Sequence, residues 1–447
     1  MKKTVRHLAV EILNEVDINN AFAGTLLDEY LEKFSLSGTP DGRLLTHLVY
    51  GVLRLRGHLD WILAKLCRGG LENMDEGLKN ILRLGLFQLK FSDRLPDFAV
   101  VNEAVKIAGR LHPQKRALVN AVLRNYLRRS DQLSFPSMKK NPAAYLAAFY
   151  AHPFWLVKRW LKIFGFDETA ALCAANNDMP PVTLRVNTLK ISRGDFLRRL
   201  AEAGWEARET TYSPDGVMLK NSPAPVQKSA FFKKGLVRLQ DESAQLLSRM
   251  AENGKTETLL DACAGTGGKT THLAAMLQNK GNILAVDRSP EKLDELLREA
   301  NRLGIKIIET QTLDWLKPPP GSLQDKFDCV LLDAPCSGTG TLRRNPEIKW
   351  RLTEKDLRKL TAAQKEILKN TSAAVKKGGR LLYGTCSLLP DENENIVEDF
   401  LKNNAHFAIG EPPASIDKRL LDSRGFLRTY PHRHNMDGFF GAILKRQ

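Results

Sequence analysis

Long apolar runs are missing from this chain. No stretch is long enough to span a bilayer. The basic opening Met1-Lys2-Lys3-Thr4-Val5-Arg6-His7 is followed by Glu11, Asn14 and Glu15, which interrupt the apolar core that a secretion signal needs. Paired cysteines are missing too. Cys67, Cys173, Cys263, Cys329, Cys336 and Cys386 are scattered, with no Cys-x-x-Cys pair. That spacing excludes a disulfide framework and offers no zinc cluster or other metal site. A cytoplasmic location is expected, with no membrane partner. Acid is in short supply, with 51 Asp and Glu against 67 Lys and Arg, a net charge of +16. A surplus of that size favours a polyanionic partner. The remainder is an ordinary globular composition, 43% hydrophobic and 26% charged in 447 residues. That length allows about three domains.

Hydrophobic periodicity divides the chain. Residues 1–140 read as helices: Val5, Leu8, Ala9, Ile12, Leu13 and Val16 share one face, as do Leu45, Leu48, Val49 and Val52. Val101, Ala104, Val105 and Ala108 make another such face, and Val119, Val122, Leu123 and Tyr126 a fourth. Short connections between amphipathic helices imply a bundle. From Lys106 to Arg129 there are seven basic residues and no acidic one, a candidate phosphate-contacting face. A linker around Ser134-Phe135-Pro136 leads to a small α/β module over 141–235, with a strand at Val182–Asn187 and a helix around 192–203. From 236 to 447 strands and helices alternate. Strands are expected at Thr258–Asp261, Ile283–Asp287, Lys306–Thr310, Phe327–Leu332 and Arg380–Tyr383, and helices at Pro290–Leu303 and Glu354–Val375. This is the pattern of a Rossmann-like, doubly wound α/β domain. A last antiparallel strand is expected over Gly438–Leu444.

The first strand of that domain runs into Cys263-Ala264-Gly265-Thr266-Gly267-Gly268-Lys269 and then a helix. Glycines let backbone approach a ligand, and the helix start offers free N–H groups. A Walker A loop is disfavoured, because Cys263 stands where that motif needs glycine. Asp287, with Arg288 beside it, ends the second strand, where a carboxylate pairs with a ribose diol. The bland alternative for Asp287 is a helix cap. Asp314 follows the third strand and can accept from an adenine amino group; otherwise it is a surface loop residue. With Asp333 at the next strand end, the set favours S-adenosylmethionine and leaves NAD possible. Lys269 in a first helical turn opposes the helix dipole, so a carboxylate partner is expected, either Asp261 or the cofactor's own.

Cys336 lies in Asp333-Ala334-Pro335-Cys336-Ser337-Gly338, and Cys386 in Gly384-Thr385-Cys386-Ser387. Each thiol follows a strand and opens a turn, at the sheet edge where ligands bind in open α/β folds. Cys67, Cys173 and Cys329 read as small buried hydrophobes, and Cys263 as a packing residue. His432 and His434 lack the neighbours of a metal site and read as a basic turn.

These two motifs, with Asn393-Glu394 and with Gln240-Asp241-Glu242-Ser243 before the glycine loop, resemble those of RNA cytosine carbon-5 methyltransferases. Arg43-Leu44-Leu45-Thr46 and Val119-Asn120-Ala121-Val122-Leu123-Arg124 resemble a NusB-like RNA-binding domain. Together with Arg344-Asn345-Pro346-Glu347-Ile348-Lys349-Trp350 they resemble the Sun/Fmu branch, whose members methylate small-subunit ribosomal RNA. The resemblance covers nearly the whole chain and departs at Thr266, where the family often has proline. It implies three parts: a NusB-like bundle at 1–140, a linker module at 141–235, and an S-adenosylmethionine-dependent methyltransferase domain at 236–447. It implies Cys386 as nucleophile, Cys336 as helper in adduct breakdown, and 16S ribosomal RNA as partner of a monomeric enzyme. Asp333 is expected at the cytosine ring nitrogen or the methionine end of the cofactor.

Three rivals stand beside this reading. An exocyclic-amine methyltransferase would carry an Asn/Asp-Pro-Pro-aromatic loop where this chain has Asp333-Ala334-Pro335-Cys336. A non-catalytic assembly factor would not need both thiols. The same chemistry on transfer RNA is disfavoured only by the fused bundle.

Overall fold

The structure, a computed structural model, describes residues 3–67, 69–92, 95–252 and 257–447. The chain forms two compact units. One is Met1–Met179 with Leu342–Arg351; the other is Pro180–Thr341 with Leu352–Gln447.

The first unit is helical. Its longer helices are Val5–Ile18, Ala23–Lys33, Pro40–Leu66, Glu76–Phe91, Asp97–Leu111, Arg116–Arg129 and Phe154–Ala175. The periodic faces point inward: Leu8, Ile12, Leu13, Leu45, Leu48, Val49, Val119 and Leu123 share one core. Helix starts follow from local chemistry. Thr39 accepts from the backbone N–H of Gly42 ahead of Pro40, and Asp75 accepts from that of Leu78. Lys115, Arg116, Arg124, Arg128 and Arg129 are exposed.

The units do not divide near residue 140 or 235. Helices Pro142–Phe149 and Phe154–Ala175 belong to the first unit. His58 explains this: its Nδ1 lies 2.9 Å from the Phe149 carbonyl, and its ring packs on Phe135 and Phe149. The segment Leu342–Arg351 also packs in this unit. The Trp350 indole N–H donates to the Leu53 carbonyl at 2.7 Å, and the Ala23 N–H donates to Glu347 at 3.1 Å. A Cβ at Gly57 would lie 2.9 Å from the Trp350 ring, so that helix must be bare there. Lys349 is buried and donates to the carbonyls of Arg54 and Ala151 and to Asn177 Oδ1, at 3.1, 3.3 and 2.7 Å.

The second unit holds two sheets. Strands β1 (Val182–Val186), β2 (Glu206–Glu209), β3 (Gly216–Asn221) and β4 (Val237–Leu239) form an antiparallel sheet ordered β2-β3-β1-β4. The larger sheet holds β5 (Thr258–Asp261), β6 (Asn282–Asp287), β7 (Ile308–Thr312), β8 (Phe327–Asp333), β9 (Val375–Thr385), β10 (Phe407–Ile409), β11 (Leu427–Arg428) and β12 (Phe440–Arg446). Its order is β10-β12-β9-β8-β5-β6-β7, with β11 on β12. The five strands β5 to β9 pair in parallel. β12 pairs antiparallel with β9 and β10, so the sheet is mixed. Helices Gly268–Met276, Pro290–Leu303, Glu354–Ser372 and Glu394–Asn403 connect the strands. The third strand begins two residues later than the periodicity implies. The helix from Glu354 stops at Ser372, because Val375 already opens β9. No helix among the described residues is long and apolar enough to cross a membrane.

Burial lowers the Lys349 pKa from 10.5 to about 7. Between those values the unfolded chain holds a proton that the folded chain lacks, so this lysine makes stability rise with pH. Wild-type stability minus that of Lys349→Met should therefore grow from pH 7 to pH 9, by up to about 1.4 kcal/mol per pH unit. Urea unfolding at three pH values measures it. A flat difference would mean that Lys349 stays charged when buried.

Candidate active site

β8 and β9 are neighbours in parallel register, with Leu332 beside Tyr383 and Asp333 beside Gly384. The Ala334 N–H extends the ladder by one bond, to the Gly384 carbonyl at 2.8 Å. Both chains then turn away, and Cys336 and Cys386 leave the same sheet edge side by side. Their Sγ atoms are 3.2 Å apart. The two turns are tied further by the Gly340 N–H, which donates to the Cys386 carbonyl at 2.9 Å.

A cation sits next to the thiols. Lys269 Nζ donates to Asp333 Oδ2 at 2.5 Å and lies 5.3 Å from the centre of the Phe439 ring. Burial opposes the lysine's charge. Asp333, then Cys386 and Asp261, outweigh burial and raise its pKa above 10.5. The partner is thus Asp333 and not Asp261, whose Oδ2 accepts from the Thr270 hydroxyl at 2.7 Å. The Cys336 thiol is held well above its ordinary pKa by its hydrogen bond to Cys386, by burial, and by the charges of Cys386, Glu392 and Asp333. Cys263 is raised by burial and by surrounding carboxylates. Burial raises Cys67 to about 11 and Cys173 to about 12, and Cys329 is buried in the sheet. Such thiols are poor nucleophiles.

The glycine loop joins β5 to its helix. Gly265 and Gly267 have φ of +53° and +80°, in the left-handed region that glycine tolerates. A Cβ at Gly267 would meet Leu296 at 2.5 Å, whereas one at Gly265 would meet nothing within 4 Å. Asp287 divides its carboxylate: Oδ2 accepts from the Gly265 N–H and Oδ1 from the Ser289 N–H, both at 2.9 Å. Ser289 caps the next helix, accepting from the Lys292 N–H. Asp314 accepts from the Leu316 N–H at 3.0 Å, and Arg288 is exposed. Arg238 donates to the Thr266 carbonyl at 3.0 Å and to its hydroxyl oxygen at 3.3 Å.

A family model described as 16S rRNA methyltransferase RsmB/F matches residues 249–445. The NusB family matches 3–128, and a ferredoxin-like domain of RsmF/B-like methyltransferases matches 152–227. The chain is 35% identical to the probable ribosomal RNA small subunit methyltransferase B of Bacillus subtilis, over 100% of both chains. It is 34% identical to the ribosomal RNA small subunit methyltransferase B of Escherichia coli O6:K15:H31, over 99% of both. The crystal structure of PH0851 covers 100% of both chains, with TM-score 0.83 and 29% identity. A methyltransferase homolog from Pyrococcus horikoshii covers 68% of this chain and 99% of its own, with TM-score 0.59 and 26% identity. The chain belongs to the small-subunit ribosomal RNA methyltransferase B family.

Members of this methyltransferase family use S-adenosylmethionine, and the loop fits it. The space beyond Gly265 is open, and the buried Asp261 Oδ1 has no hydrogen-bond partner among the described residues. Burial raises Asp261 to about 7. An orphaned acidic oxygen beside a bare loop suits a ligand that carries an amine and a ribose. Two supports escaped the reading of the sequence. Arg185 on β1 is buried and donates to the Gly268 carbonyl and Gln240 Oε1, each at 2.6 Å, and to the Thr271 hydroxyl at 3.0 Å. Burial, and then Arg238, lowers it to about 9. The small sheet thus holds the start of the cofactor helix. Glu392 is the second support, buried behind the thiols.

Asp287→Ala removes the acceptor that fixes Gly265, and with it a carboxylate at the edge of the glycine loop. Cofactor affinity should fall roughly tenfold or more, with RNA affinity unchanged. Calorimetric titration with S-adenosylmethionine measures this, and an unchanged affinity would contradict the placement.

Proposed function

We propose that this protein methylates carbon 5 of a cytosine in 16S ribosomal RNA through a covalent bond from Cys386 to carbon 6. The single observation that carries the reading is the 3.2 Å approach of Cys336 and Cys386, with the Lys269–Asp333 pair beside them. An amine methyltransferase has no use for two facing thiols. The relatives' names support ribosomal RNA over transfer RNA. We assign the exposed basic helix Arg116–Arg129 to phosphate contact. The protein works as a monomer in the cytoplasm, with residues 1–140 as RNA-binding bundle, 141–235 as connecting module and 236–447 as catalytic domain.

Carbon 5 of cytosine is a poor nucleophile. Addition of the Cys386 thiolate to carbon 6 makes carbon 5 enamine-like. The Lys269 cation lies within electrostatic reach of that sulfur. Asp333 holds or protonates the ring nitrogen, drawing electrons from carbon 6. Bound S-adenosylmethionine supplies an electrophilic methyl group. Gly265, Gly267 and Gly268, with Cys263, Ala264 and Thr266, offer backbone to it, and Asp287, Arg288 and Asp314 flank its nucleoside. Carbon 5 bonds to that methyl and gives its proton to water, the ring double bond re-forms, and Cys386 leaves as thiolate. Cys336 assists this last stage.

The two thiols therefore give opposite results on removal. Cys386→Ala should form no adduct and no product. Cys336→Ala should attack and methylate, then stall as an RNA–protein adduct. Denaturing electrophoresis shows such an adduct as a slowly migrating band. A band from the Cys386 variant alone would make Cys336 the nucleophile. Neither variant giving a band, with RNA shown to bind, would count against covalent chemistry.

A further inference from the structure

We propose that Glu392 is the positioning residue of the two-thiol centre: its carboxylate is the shared acceptor that holds the turn bearing Cys336 in register with the turn bearing Cys386. The proposal deepens the reading above and rests on it for the roles of the thiols. Glu392 is fully buried. Three of its hydrogen bonds come from the residue after each cysteine. Ser337, next to Cys336, gives its N–H to Oε1 at 2.8 Å and its hydroxyl to Oε2. Ser387, next to Cys386, gives its hydroxyl to Oε2 at 2.5 Å. Gln364, from the helix Glu354–Ser372, donates to Oε1 at 3.0 Å and to the Pro335 carbonyl at 2.8 Å, so it grips the residue before Cys336 as well.

The glutamate is itself held. The buried Tyr383 hydroxyl on β9 donates to its carbonyl at 2.7 Å. The next residue, Asn393, accepts from the Thr385 hydroxyl at 2.5 Å and donates to the Ser387 carbonyl at 2.9 Å. One buried carboxylate therefore fixes both turns, and hydrogen bonds to a buried charge are the strong ones. A sub-ångström slip of either turn would separate the thiols, and catalysis is sensitive to displacements of that size.

The same placement separates the duties of the thiols. Cys336 is faced by Cys386, Glu392 and Asp333, with Tyr383 behind. Cys386 is also faced by the Lys269 cation. Negative charge around Cys336 holds its thiol well above the ordinary range, while the cation lies on the Cys386 side.

The test is Glu392→Gln, which keeps the shape and removes the charge. Two readouts are taken on folded full-length protein with unaltered S-adenosylmethionine affinity. Without RNA, the pH profile of Cys336 alkylation by iodoacetamide, read by peptide mass spectrometry, should move to lower pH. With RNA, kcat should fall roughly a hundredfold while the RNA KM stays within about twofold. A purely structural glutamate would move neither the thiol profile nor kcat alone. Unchanged alkylation together with unchanged kcat would overturn the proposal. If Glu392→Gln does not fold, the double variant Ser337→Ala with Ser387→Ala decides. It removes the two hydroxyl donors, and an unaltered kcat would then refute the shared-acceptor role. Alkylation needs no methyl transfer. A shifted profile in a protein that makes no 5-methylcytosine would sink the chemical reading and leave this one standing.

Discussion

The parallel pairing of β8 with β9 is the constraint on which the site depends. A one-residue slip in a strand turns every side chain to the opposite face. Here the register sets Asp333 against Gly384, so both strands end at the same height and both turns open toward the same space. Gly384 is required at that point, because a Cβ would lie 2.5 Å from Leu247. The close thiols, the Lys269–Asp333 pair and the buried Glu392 all build on this shared edge. Their cost is concentrated charge and polarity out of water, offset by near-complete pairing around Glu392.

The cofactor half of the site uses the same economy of support. β5 delivers the glycine loop, β6 delivers Asp287, and Asp287 then fixes Gly265. Asp287 is not the cap of the next helix, a role that Ser289 takes. One oxygen serves the turn into the next helix and the other serves the glycine loop. The second sheet contributes through Arg185, whose guanidinium occupies the first carbonyl of the cofactor helix. A small antiparallel sheet thereby stiffens a loop on the other sheet.

Much of the fold was legible because its signals are local. The helix Pro290–Leu303 was read to the residue; in the structure Ser289 caps its start and Gly304, in the left-handed region, closes it. The final strand was visible as an apolar run with no helix after it. β9 was read too short, because Lys376, Lys377, Gly378 and Gly379 hide its first half. The place of Leu342–Arg351 in the helical unit was not legible. That segment is short, and its anchors, Lys349 and Trp350, find partners more than 150 residues away. Both thiols stood out, since proline and glycine turns frame them. Glu392 did not. It lies among Asp391, Asn393 and Glu394, and such a run reads as a solvated helix start. Lys269 announced the need for a carboxylate, but only the sheet order brings Asp333 within reach and turns Asp261 toward Thr270.

Facing thiols that activate carbon 5 of a cytosine are the centre of the proposed chemistry. The most direct test is the identity of the product. Purified protein is incubated with methyl-labelled S-adenosylmethionine and 16S ribosomal RNA that lacks its modifications, and the digested nucleosides are separated by mass spectrometry. Label in 5-methylcytidine is the predicted result. Label in N4-methylcytidine or in a methylated purine would contradict the account, because neither product needs a thiol at carbon 6.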